Sequence, residues 1–251
     1  MVSIKDLFEA GVHFGHRTQR WNPKMKPYIF EERHGIYLIN LEETHRQLKE
    51  ACEFLEKVAR RGEQILFVGC KKSAQESLKE HAGRIGCPYV ADRWLGGTLT
   101  NLQTIRKSVK RLEFIENLIK SGELEKYPKQ EASVLRRELN KLLRNLLGIR
   151  TMEKSPAAMI VVDTVREANA LEEARRLNIP IIAIVDTNAN PEGIDYPIAG
   201  NDDAIRSIKI LIQTLADAIA KGQSEAGKKI NPKIKKETEI EAETSIEAVS
   251  A

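Results

Sequence analysis

The chain has 251 residues, 41% hydrophobic and 30% charged, the composition of a soluble globular protein with one large domain or one domain carrying an insertion. Its net charge of +4 and pI near 8.8 permit an anionic partner without demanding one. No apolar run approaches the roughly 18 residues needed to cross a bilayer, so no membrane span is expected.

The first unusual segment runs from Gly11 to Phe30. Arg17, Arg20, Lys24 and Lys26 are interleaved there with Phe14, Trp21, Tyr28 and Phe30, without helix or strand periodicity. Pro23 and Pro27 lack a backbone N–H, so no long helix is expected through it. Such a segment can lay cations along a phosphate backbone while its rings stack on bases or anchor it. An irregular arm docked on a core by its aromatics accounts for the same residues, and chemistry alone leaves the two open. The opening Met-Val-Ser-Ile-Lys-Asp has the features of neither a secretory nor a transit peptide, and a cytoplasmic location is expected.

Residues 42–61 follow as a helix with Leu48, Ala51, Cys52, Leu55 and Val58 on one face. Gln64–Cys70 reads as a buried strand, and Ser73-Ala-Gln-Glu76 has the form of a capping box opening the next helix. Tyr89–Ala91 is a second strand. The second unusual segment, Arg93-Trp-Leu-Gly-Gly-Thr-Leu-Thr-Asn101, combines a Gly-Gly turn with another capping box, Thr100–Gln103. A tight turn that launches a helix explains most of it, with Arg93 the part best suited to touch RNA.

From Leu102 to about Arg150 the pattern is helix without strand. Ile105, Val109, Leu112, Ile115 and Ile119 form one apolar seam, and Leu135, Leu139, Leu142 and Leu146 another. Two such helices are expected to pair as an antiparallel coiled-coil hairpin, a projection of roughly 27 Å at about 1.5 Å per residue. Arg106, Lys107, Lys110 and Arg111, with Arg136, Arg137, Lys141 and Arg144, lie on its outer faces and read together as a contact surface for an anion.

Beyond the insertion, Ala157–Asp163 is a strand, and Thr164-Val-Arg-Glu167 is a capping box for a helix to about Leu177. Pro180–Asp186 is the next strand, and a last helix spans about Asp202 to Lys221. Apolar runs alternating with amphipathic helices predict a doubly wound α/β core with a parallel sheet. The organisation expected is a basic aromatic arm over 1–34, a core over 35–101 and 151–222, a helical insertion over 102–150, and a disordered tail over 223–251.

Enzymatic signals are weak. Gly69-Cys-Lys-Lys-Ser73 follows a strand as phosphate loops do but matches neither nucleotide-binding fingerprint, although Lys71 and Lys72 could meet an external phosphate. Val-Asp-Thr occurs twice, placing Asp163 and Asp186 at strand ends where an enzyme would use them, and loop tethering accounts for them equally. A zinc site would need His13, His16, Cys70 and Cys87 to converge, which their spacing does not force. Three widely spaced cysteines make a disulfide framework unexpected. No cofactor and no metal are expected.

Ala10–His16 with Trp21–Phe30, then Arg93–Asn101, then Asp186-Thr-Asn with Ile194–Ile198 and Gly200–Ser207 resemble the bacterial small-subunit ribosomal protein S2 family, in order and spacing, from about residue 3 to 222. Cys70 stands where many members carry Thr. The resemblance implies a Rossmann-like or flavodoxin-like domain with an inserted helical hairpin and a structural, non-enzymatic role on the ribosome. It implies binding to 16S-type ribosomal RNA, support of assembly and translation initiation, and neighbouring ribosomal proteins including the large messenger-binding protein S1. On that reading Arg17, Arg20, Lys24 and Lys26 are phosphate partners and Trp21 an anchor or stacker. Arg106, Lys107, Lys110 and Arg111 come next, with Arg93. The rival readings are a phosphate-ester or nucleotide enzyme using Asp163 and Asp186, and a protein-binding scaffold.

Overall fold

The structure, a computed structural model, describes residues 2–227. It opens on a short helix, α1 (Ile4–Glu9). Ser3 Oγ accepts from Asp6 N at 3.2 Å and Asp6 Oδ2 accepts from Ser3 N at 2.9 Å, a reciprocal capping box. The segment expected to lack strand periodicity, Gly11–Phe30, contains β1 (Phe14–Arg17) and the start of β2 (Ile29–Arg33), and both pair antiparallel with the central β3 (Ile36–Ile39). Only Ile39 among their residues is buried, so no face imposes apolar residues at alternate positions. The two prolines sit in a 3-10 turn, Pro23–Tyr28, which inserts the fully buried Met25 into the core.

Helix α2 (Leu41–Arg60) starts at Asn40, whose Oδ1 accepts from Glu42 N at 3.0 Å. The chain continues through β4 (Ile65–Val68), α3 (Lys72–Arg84), β5 (Tyr89–Val90), α4 (Leu102–Lys120) and α5 (Lys129–Leu146). It returns as β6 (Ala158–Val162), α6 (Ala168–Arg176), β7 (Ile181–Val185), β8 (Tyr196–Ala199) and α7 (Ile205–Glu225). The five later strands form one parallel sheet in the order β5-β4-β6-β7-β8. Strand β8 was not expected. It lies at the sheet edge, where Pro197 costs no ladder bond on its open side.

Both faces of the sheet are covered. Ile65, Phe67, Ile160, Ile182 and Ile184 point to one side, against Leu55 of α2, Leu78 of α3 and Leu211 and Leu215 of α7. Leu66, Val68, Met159, Val161 and Ala183 point to the other, against Leu171 and Ala174 of α6, Ile105 and Val109 of α4, and Met25. Period two with both parities apolar is the mark of a strand buried on both faces. Each fully buried Leu, Ile or Phe contributes about 1.5–3 kcal/mol relative to exposure.

Three expected capping boxes are absent. Helix α3 starts after Lys71 with no side-chain cap, and Ser73 Oγ is buried without a partner. Helix α6 begins only at Ala168; Asp163 Oδ1 accepts from Arg166 N at 3.0 Å, and Thr164 Oγ1 is unpartnered. Thr100 Oγ1 donates to Glu173 instead of capping α4, and Asn101, which precedes the helix, accepts at Oδ1 from the Thr104 hydroxyl at 2.9 Å and makes no capping bond.

Between β5 and β6, α4 buries Ile105, Val109, Leu112, Ile115 and Leu118, while Ile119 is exposed. On α5 only Leu146 is fully buried. Arg111 bridges the two helices to Glu138 at 3.0 and 3.1 Å. The chain re-enters at Gly148, where an added Cβ would lie 2.2 Å from Tyr89 O. Helix α7 runs on to Glu225, past the expected start of the tail; the rest of the expected tail, from 228, lies outside the described residues. Among the described residues no helix is long and apolar enough to cross a membrane.

His81 on α3 is buried with neither ring nitrogen partnered, and burial lowers its pKa below the ordinary 6.5. The unfolded chain therefore takes the proton first, so this stability is present above about pH 6.5 and is lost as pH falls through the folded value. His81→Leu is expected to reduce the fall in thermal midpoint between pH 7.5 and 5.5 by about 2–4 °C, the equivalent of about 1 kcal/mol. Equal falls in variant and wild type would remove His81 as the acid-sensitive group.

Candidate functional site

Six ionisable side chains meet at the carboxyl ends of the central strands. Gly15 of β1 passes so close to the loop after β7 that a Cβ would lie 2.5 Å from Thr187 Cγ2. That approach lets His16 N donate to Thr187 Oγ1 at 2.8 Å and carries the imidazole over the sheet edge. His16 Nδ1 lies 3.1 Å from Asp186 Oδ2, an ion-pair contact whose angle falls outside a hydrogen bond, and Nε2 lies 3.3 Å from Asp203 Oδ2. Lys71 Nζ reaches Asp202 at 2.6 Å, Asp203 at 2.5 Å and Asp163 at 3.4 Å.

The charges shift one another. The Asp186 carboxylate, against the effect of burial, raises the His16 pKa. Burial first, and then the neighbouring Asp186, push Asp202 up to about 7, with Lys71 opposing. Burial works against the Lys71 ammonium, yet Asp202 and Asp203 outweigh it and raise its pKa. Lys71 is thus turned into this pocket and is not available to an external phosphate. Asp163 and Asp186, read from the sequence as catalytic or tethering, share one network whose cation is an internal lysine.

His16, Asp186 and Asp202 offer ligand atoms within 4.8 Å of one another. One imidazole and two carboxylates are a donor set that divalent ions such as zinc or manganese accept. The zinc set drawn from the sequence is not the one assembled. His13 stacks on Phe8 at 4.4 Å between ring centroids and leans on Phe14 at 4.0 Å. Cys70 and Cys87 are buried free thiols, each pushed up to about 12, by burial first.

Around this pocket the arm presents its cations. Arg17, Arg20 and Lys26 are exposed, and none has an ion-pair partner among the described residues. Arg17 and Arg20 line a polar depression of about 390 Å³ with His16 and Asp203. Lys24 is paired with Glu192. Trp21 is half-buried with its ring 5.1 Å from that of Tyr37, and Asn22 N donates to Thr187 O at 2.7 Å, so the arm is docked on the core as well as charged.

Helix α4 divides its cations. Lys107 and Lys110 are exposed and unpaired among the described residues. Arg106 Nη1 instead donates to Arg150 O at 2.8 Å. Arg111 makes its two-point bond to Glu138, whose pKa it lowers, and lies 5.5 Å above the Phe114 ring. These two arginines hold structure as well as charge. Arg93 is exposed without an ion-pair partner among the described residues.

The segment behind Arg93 is organised by a residue that the sequence did not single out. Glu173, buried on α6, accepts from Trp94 Nε1 at 2.9 Å and Gly97 N at 2.8 Å through one oxygen. Its other oxygen accepts from Leu99 N at 2.9 Å and from Thr100 N and Oγ1 at 3.0 Å. Burial would raise this carboxyl, but the donors together outweigh it and hold its pKa below the ordinary value. A glutamate on a helical face some seventy residues away carries no local signal of this role. A family model described as Ribosomal protein S2 matches residues 7–222.

Proposed function

The chain belongs to the ribosomal protein S2 family and is a small-subunit ribosomal protein, and on that premise we propose that it holds ribosomal RNA through two basic appendages on its α/β core. The observation that carries this reading is the exposed trio Arg17, Arg20 and Lys26, free of ion pairs among the described residues and mounted on a docked arm. Cations already held in place lose little freedom when they meet phosphate, and they supply affinity without reading sequence. Trp21, leaning on Tyr37, serves as the anchor. Lys24 contributes once it leaves Glu192.

The second appendage is the insertion over 102–150, which we read as an antiparallel coiled-coil hairpin. Lys107 and Lys110 are its phosphate partners, while Arg106 and Arg111 position it, and Arg93 extends the surface at its base. The arm over 1–34 and the core over 35–101 and 151–222 then form one platform. Support of assembly and initiation, retention of S1 and residence on cytoplasmic ribosomes rest on the family, and the role is structural rather than catalytic.

Sedimentation of the tagged chain from a lysate tests the reading. Stoichiometric migration with the small subunit is expected, with affinity for isolated RNA falling roughly tenfold or more as salt rises across the physiological range. Arg17→Glu with Arg20→Glu and Lys26→Glu should stay at the top of the gradient with an unchanged helical circular-dichroism signal. Normal incorporation by that folded variant would refute the arm as an RNA contact.

A further inference from the structure

A second concavity, a cleft of about 710 Å³, opens at the carboxyl ends of β4 and β6, between the 92–94 segment and α5. Cys70 and Glu167 lie in its lining. Arg93, Lys141, Arg144 and Arg166 surround it, all four exposed. Two carboxylates oppose these four cations, and both are weakened as negative charges. Asp92 is shared between Arg144 at 3.2 Å and Lys79 at 3.1 Å. Glu167 is buried, accepts from Cys70 N at 3.0 Å, and is shifted by its burial toward the neutral form.

Arg93 and Lys141 have no ion-pair partner among the described residues, and Arg166 has only a 4.0 Å approach to Glu167. The cleft is therefore electropositive at its mouth. Asn140, Asn145 and Asn169 add amide groups that both donate and accept. Trp94 also borders the cleft, but its indole N–H is committed to Glu173 and the residue is only 9% exposed, so no open aromatic face is offered for stacking. The volume falls in the range of small-molecule sites, about 300–1,000 Å³, and the strand carboxyl ends are where such sheets take phosphorylated ligands.

The geometry points to a nucleotide-binding cleft, which takes one phosphorylated nucleotide, free or as a unit of single-stranded RNA. The phosphate lies among Arg93, Lys141 and Arg166, and the base or sugar meets the asparagine amides. The RNA form of this inference rests on the ribosomal reading above; the free form does not.

Fluorescence anisotropy of the full chain with labelled single-stranded decauridylate, competed by AMP or by adenosine, tests it. Arg93→Ala with Lys141→Ala and Arg166→Ala is expected to weaken decamer binding tenfold or more and to lower the slope of log K against log salt by about two. The single variant Arg166→Glu, which breaks no short ion pair, should weaken it in the same direction. Competition by AMP and not by adenosine assigns the cleft to free nucleotides as well. Dependence on the three cations without such competition assigns it to RNA. Failure of the wild type to bind either probe overturns the inference, as does wild-type affinity and salt slope in both variants. Sedimentation of the same preparation with the small subunit separates the two failures, because a ribosome-bound protein with an inert cleft sinks only this inference.

Discussion

Replacing Glu173 by glutamine is expected to lower the thermal midpoint by about 5–10 °C. An amide has one acceptor oxygen, so one of the two donor sets around Glu173 would face an NH₂ group. Each stranded buried donor costs about 1–3 kcal/mol, and the loss of one set comes to about 2–4 kcal/mol. In a chain of this size each kcal/mol is worth about 2–4 °C. Because the Glu173 pKa is depressed in the folded state, its stabilisation is present above the ordinary carboxyl value near 4.5 and is lost as pH falls through the folded value. Glu172→Gln, on the exposed side of the same helix, is the control and should leave the midpoint unchanged. Trp94 fluorescence reports the local event, since its indole donates to the replaced oxygen. A Glu173→Gln midpoint equal to that of the control would show that the loop from Trp94 to Thr100 does not depend on this carboxylate.

The other large effect is expected at Gly15. Its backbone angle is ordinary, so space decides: an alanine methyl would meet Thr187 Cγ2 at 2.5 Å, Thr187 Oγ1 at 2.8 Å and Tyr37 O at 2.9 Å. One of these contacts is backbone and cannot rotate away, and overpacking of this kind costs about 1–3 kcal/mol. The strand is expected to lift, breaking the bond from His16 N to Thr187 and taking the imidazole from Asp186. Trypsin cleavage at Arg17 and Arg20 should accelerate tenfold or more, with the parallel sheet still folded by circular dichroism. Thr187→Ser, which deletes one of the clashing atoms, should partly restore protection to Gly15→Ala. Unchanged cleavage in Gly15→Ala would mean that the arm yields without detaching.

What the sequence made legible was whatever burial writes into local pattern. Strands β4, β6 and β7 are apolar on both parities because both their faces are covered, and they were found. Strands β1, β2, β3 and β8 are short and either only partly covered or at a sheet edge, so their sequences carry no such pattern. The capping boxes at Ser73, Thr100 and Thr164 failed for a related reason. Their spacing is local, but Thr100 answers to Glu173, and Asp163, in a left-handed conformation, accepts from Arg166 N and closes a turn where a helix beginning at Thr164 was expected. The same holds for the candidate site. Arg17, Arg20 and Lys26 stand in the open, whereas Lys71, Arg106 and Arg111 are turned to partners inside the chain. A cation in a sequence carries no mark of whether its counter-ion is solvent, a ligand or a carboxylate 131 residues away, as between Lys71 and Asp202.

The re-entry of the chain at Gly148 beside Tyr89 has a bearing on how this fold tolerates change. The polypeptide that leaves the edge strand β5 must rejoin the sheet on the far side of β4, an excursion of dozens of residues. Its two feet stand together: Gly148 touches β5, and Arg106 from the outgoing helix bonds to Arg150 O on the return. Beyond Ile105 and Val109 on the outgoing helix, and beyond Asn140 on the returning one, nothing in the sheet senses how far the excursion travels. Whole turns of helix can therefore be gained or lost in register on both limbs without altering a single strand pairing. The outer turns of α4 and α5 are where the length of this protein is free to evolve.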